Sequence, residues 1–146
     1  MMFTYEGYSS LLSLLNKHRF EIATYDNWRE KDRCVILRHD VDYDLLKAMQ
    51  MAKLEEKQGV QAIYFVLLTS DFYNVFSANS FDCMKQIMDC GHTIGLHFDE
   101  VRYPEYADNV EGMKDAIIEE AGLLGRAIGT RVTADSMHRP GKSPPL

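Results

Sequence analysis

Hydrophobic residues along this chain recur with two periods, and the switches between them mark out an alternating α/β protein. From Phe3-Thr4 onward, Tyr8, Leu11, Leu12 and Leu15 fall on one face at helical spacing, and Thr4 supplies a capping hydroxyl. A short strand is expected over 20–25 and a polar connection over 26–32. An apolar run over 33–39 reads as a buried strand. The pattern predicts a helix over 44–58, closed by Gly59. The run V-Q-A-I-Y-F-V-L-L over 60–68 is the most hydrophobic of the predicted strands and is apolar on both faces, as in a sheet covered on both sides. A helix over 79–90 stops at Gly91, and a strand follows over 92–97. A long amphipathic helix covers 107–127, with Gly129 after it, and a last strand covers 130–137. The order β-α-β-α-β-α-β behind an N-terminal helix implies a parallel sheet with right-handed crossovers.

Composition narrows the class without naming a function. The 146 residues are 46% hydrophobic and 26% charged, which suits one soluble domain with a true core. Sixteen basic against twenty-two acidic residues give a net charge of -6. No basic stripe is present, so nucleic acid and anionic membranes are poor partners. No signal-type segment or bilayer-length apolar run is visible. The cysteines are Cys34, Cys83 and Cys90. Their odd count, lack of a C-x-x-C pair and core-like positions fit buried, reduced thiols in a cytoplasmic protein. The turn-like stretch Gly141-Lys142-Ser143-Pro144-Pro145-Leu146 cannot finish an α/β layer. A closed parallel barrel takes about 250 residues. The chain therefore reads as a small open sheet or as the first half of a barrel. In the second case an uncovered sheet edge would favour self-association.

Three polar clusters follow three different strands and should gather on one edge of the sheet. They are Arg38-His39-Asp40-Val41-Asp42, Gly95-Leu96-His97-Phe98-Asp99-Glu100 and Ser136-Met137-His138-Arg139-Pro140-Gly141. Asp40 and Asp42 are two apart at a strand end and project to one side. Such a pair calls for a cation or a shared proton, with one carboxylate as metal ligand and the other as base. Asp42 or Asp44 could instead cap the following helix. His97 shares a face with Asp99 if the strand continues that far, and an imidazole among carboxylates suits zinc or another divalent first-row ion. Glu100 points the other way. Arg139 brings a guanidinium beside the rigid Pro140-Gly141 turn. His92 reads as structural, His39 should face away from Asp40, and the direction of His138 is open.

The pieces I-L-R-H-D-V-D, A-I-Y-F-V, G-H-T-I-G-L-H and H-R-P-G, in this order, resemble the polysaccharide deacetylase family, whose members include chitin and peptidoglycan deacetylases. The resemblance covers about 35–141. It implies a distorted, here partial, (β/α) barrel and metal-dependent removal of acetyl groups from an amino sugar or glycan. By matching position, Asp40 resembles the catalytic base, Asp42 and His97 metal ligands, and Arg139 the arginine that orients the base. The second histidine of the family's H-x-x-x-H motif would fall at Val101, which has no donor atom. Asp99 is the expected replacement, from strand parity. The family's general-acid histidine would lie past Leu146.

Two other functions fit parts of the pattern. A haloacid dehalogenase-type phosphatase also begins with a strand ending in D-x-D, with Asp40 as nucleophile and Thr69 or Ser70 as phosphate binder. It leaves His97 and Arg139 unused, and Asp44 stands where that family has Thr or Val. A truncated glycan-binding remnant without turnover would account for Val101 and the short chain.

Overall fold

Thr4 caps the first helix, its hydroxyl oxygen accepting the Gly7 N–H at 3.1 Å, and α1 runs Tyr5–Lys17. Leu12 is buried, with Tyr8 and Leu15 packed against the same core. The computed structural model describes residues 4–139; Phe3 and the expected Pro140-Gly141 turn lie outside them. Two short strands follow, β1 (Glu21–Ala23) and β2 (Cys34–Ile36), paired in parallel. The remaining strands are β3 (Arg38–Val41), β4 (Ile63–Leu67), β5 (Thr93–Phe98) and β6 (Asp135–Met137). They form one parallel sheet in sequential order, curled into half a barrel. Helices α2 (Leu45–Lys57), α3 (Ala78–Asp89) and α4 (Val110–Ile128) make the crossovers.

The predicted strand over 33–39 is two strands, because the chain changes partner at Leu37. Residues up to Ile36 pair with β1, whereas the Leu37 carbonyl accepts the Ile63 N–H at 3.0 Å and opens the ladder to β4. The strand also runs past His39 to Val41, so Asp40 lies within it. Gly59 and Gly91 follow α2 and α3 with φ of 68° and 87°, the left-handed conformation that suits a residue lacking Cβ. The strand expected over 130–137 is confined to its last three residues.

β4 is buried at every position, as a strand covered on both faces should be. Phe65 lies on its barrel side, under the Arg38 guanidinium at 4.7 Å from the ring centroid. Its register partner is Gly95. A Cβ at Gly95 would come within 2.7 Å of the Phe65 ring and 3.1 Å of the Ala134 carbonyl, so this crossing requires glycine.

On the helix side, Glu55 of α2 is fully buried. It accepts hydrogen bonds from the Tyr8 and Tyr64 hydroxyls and meets His39 Nε2 at 2.7 Å. Burial pushes the Glu55 carboxyl up, but the His39 contact and the two phenols outweigh it and hold the group below the ordinary carboxylate range. His39 thus faces away from Asp40's partners. His92 is structural: Nδ1 accepts the Ala62 N–H at 3.0 Å, so Nε2–H donates to the Ala52 carbonyl at 2.9 Å.

The three cysteines are free and half-buried rather than fully enclosed. No helix among the described residues is long and apolar enough to cross a membrane. The four strands of the larger sheet lie in sequential order, and the reversal of a doubly wound sheet is not seen among the described residues.

Candidate metal centre

Capping decides which carboxylate is free at the end of β3. Asp44 caps α2, its Oδ1 accepting the Lys47 N–H at 3.0 Å, so the Asp42 side chain is not used for that purpose. The loop carrying Asp42 is fastened on two sides. Ser70 Oγ–H donates to the Asp42 carbonyl at 2.8 Å. The Tyr73 hydroxyl donates to the Val41 carbonyl and accepts the Leu67 N–H at 2.9 Å. Burial raises the Tyr73 phenol well above its ordinary value, so it remains a donor near neutral pH.

Asp42, His97 and His138 meet at this edge. His97 Nε2 lies 3.4 Å and His138 Nδ1 3.3 Å from Asp42 Oδ1, and the two nitrogens are 3.0 Å apart. Three supports fix the arrangement. His97 is only 2% exposed. Its Nδ1–H donates to the Ser136 carbonyl at 3.0 Å, so Nε2 is the ring nitrogen turned toward Asp42. The His138 N–H donates to the Phe98 carbonyl at 2.8 Å, continuing the ladder that holds β6 to β5.

These residues fit a divalent metal. Asp42 Oδ1 is buried and has no hydrogen-bond partner, a costly state for a carboxylate oxygen unless a cation meets it. Two imidazoles and one carboxylate are a borderline-soft donor set of the kind zinc takes. Among the described residues, this is the group of histidine and acidic side chains with metal-holding geometry.

Asp40 sits on the barrel side of the sheet beside the cluster. Arg38 Nη2 donates to Asp40 Oδ1 at 2.6 Å and to Ser136 Oγ at 2.6 Å. The arginine two positions earlier in the same strand therefore orients this carboxylate. Arg139, the expected partner from sequence, extends its Nε to 3.4 Å from Asp99 Oδ1.

Asp99 stands apart from the three. The parity argument required β5 to continue, but it ends at Phe98, and a 3-10 turn over Glu100–Arg102 begins at once. That turn directs the buried Asp99 carboxylate to Arg102 and Arg139. Val101 sits within it at 47% exposure. The second imidazole comes from His138, which sequence reading left without a direction. Its signal was parity on the last strand: Ser136 faces Arg38 on the barrel side, and His138 is two residues further on.

No family model matches the chain, and no curated protein matches it. Among solved structures, that of IcaB from Ammonifex degensii superposes with a TM-score of 0.66 at 14% identity. The match covers 92% of this chain and 66% of that one. At this identity the likeness is one of fold, and the chain spans just under two thirds of its neighbour's length.

Proposed function

We propose that this protein is a metal-dependent hydrolase removing acetyl groups from an amino sugar or glycan, with zinc as the best-suited metal. The observation that carries the reading is the two-histidine, one-aspartate set beside an arginine-held carboxylate, on the strand-end edge of a half-barrel. That edge is where parallel barrels build their active sites. The resemblance of the strand-end motifs to the polysaccharide deacetylase family favours an acetylated glycan as substrate, and the fold shared with IcaB is compatible with it.

Asp42, His97 and His138 would hold the ion, leaving further coordination positions open, as catalytic zinc sites do. When bound, the metal supplies Lewis acidity toward a water and the acetyl carbonyl. Asp40 is the general base that takes the proton of the attacking water. Arg38 keeps the Asp40 carboxylate aimed through a charge-assisted hydrogen bond. Ser136 serves both partners, its hydroxyl on Arg38 and its carbonyl on His97. The Asp99–Arg139 pair flanks the set.

The test is acetate release from N-acetylglucosamine oligomers by the zinc-loaded protein, followed by mass spectrometry. Release that disappears on chelation, returns with zinc, and is lost in Asp40→Asn is the expected result. Oligosaccharide binding without acetate release would instead identify a glycan-binding protein.

A further inference from the structure

We propose that Tyr43 and Phe72 form a sugar-stacking subsite at the mouth of the metal centre, taking the C–H face of a pyranose ring of an N-acetylated oligosaccharide. The inference rests on the deacetylase reading and names how that site grips its substrate. Tyr43 is 67% and Phe72 66% exposed. Their ring centroids are 4.7 Å apart at 68°. Two large aromatic rings left in water and packed on each other are a patch of the kind that marks a ligand surface.

Position makes this pair specific to the centre. Tyr43 directly follows Asp42 in the chain. Phe72 comes from the next loop, and Ser70 joins the two: its hydroxyl donates to the Asp42 carbonyl and accepts the Phe72 N–H at 3.1 Å. The same loop is braced from the β5 side, where Arg102 Nη2 donates to the Thr69 carbonyl and to Asp71 Oδ1, each at 3.2 Å. The rings are thus carried on backbone tied to a metal-ligand loop. Their side chains have few torsions to freeze on binding.

The chemistry points to a sugar. A π face carries partial negative charge and attracts weakly positive C–H groups, which one face of a pyranose presents as a flat array. Its hydroxyls remain at the rim in water.

The experiment uses the Asp40→Asn protein, loaded with zinc, so that the oligosaccharide stays intact. Calorimetric titration with the N-acetylglucosamine tetramer is compared with Tyr43→Ala, Phe72→Ala and Tyr43→Trp in the same background. Each alanine variant should bind about tenfold more weakly, the loss of one stacked ring. Tyr43→Trp should bind as tightly as its parent, and zinc affinity should not change in any of them. Equal tetramer binding in the alanine variants overturns the subsite, and so does absence of tetramer binding by the parent. Loss of self-association in the alanine variants by sedimentation, with sugar binding unchanged, would assign the patch to a second copy of the chain and also overturn it. Acetate release by the wild-type protein is read separately, so failure of the subsite leaves the deacetylase reading standing.

Discussion

At the scale of single residues, the centre depends on which side chains the backbone has released from structural duty. Asp44 does the capping, so the Asp42 side chain is not needed there; the Ser136 carbonyl takes the Nδ1–H of His97, so Nε2 is left to face Asp42 and His138. In zinc titrations, Asp42→Ala, His97→Ala and His138→Ala should each weaken binding by more than about 100-fold, beyond the usual cost of losing an outer-shell partner. Asp99→Ala should have little effect, because its carboxylate faces two arginines. Comparable losses for Asp99→Ala and His138→Ala would show that the cluster is misassigned. Arg38→Gln should leave zinc affinity intact and lower kcat for acetate release by about 10- to 100-fold, the value of a charge-assisted hydrogen bond, with Arg38→Lys recovering part of it. An unchanged kcat would remove Arg38 from the mechanism. The placing of Asp40, Asp42 and His97 at one edge of the sheet was legible in the sequence, because strand ends and i, i+2 spacing fix direction. His138 was not, since its direction depends on where a three-residue strand begins.

Elements were more legible than their ends. The helices fall where the apolar period and the capping residues put them, and β4 is the doubly buried strand its composition indicates. The change of partner at Leu37 had no local signal, because a strand that passes from one neighbour to another keeps the same alternation. The end of β5 escaped for a similar reason: a 3-10 turn needs only a few torsions to change, and Asp99 and Glu100 permit either course. Two contacts between elements invite measurement. Gly95→Ala should destabilise the protein by about 1–3 kcal/mol in urea unfolding, since Phe65 and the Ala134 carbonyl leave no room for a methyl group; full stability would mean the crossing is looser. Glu55 joins α1, β3 and β4 to α2. Its depressed pKa means that its stabilisation is complete above the ordinary carboxylate value of 4.5 and is lost as pH falls through the lower folded value. Glu55→Gln should cost about 2 kcal/mol near neutral pH and flatten the acid limb of the stability curve. A variant whose acid limb matched wild type would assign that limb to other carboxylates.

For the whole molecule, the sequential parallel sheet is what the alternation of periods implied, and the likeness to IcaB in fold agrees with it. The lasting consequence lies in β6. This strand is only three residues long, yet it positions both imidazoles, one through the Ser136 carbonyl and the other through His138 itself. Binding a cation across β3, β5 and the end of β6 would therefore act as a clasp on the shortest strand of the four-stranded sheet. Ligand that binds only the folded form adds RT ln(1 + [L]/Kd) to its stability, and that gain should concentrate where the sheet is weakest. Amide exchange at Ser136, Met137 and His138 should slow on adding zinc by a larger factor than exchange in β4. A uniform slowing across all strands would mean that the sheet opens only as one piece and that β6 has no separate weakness.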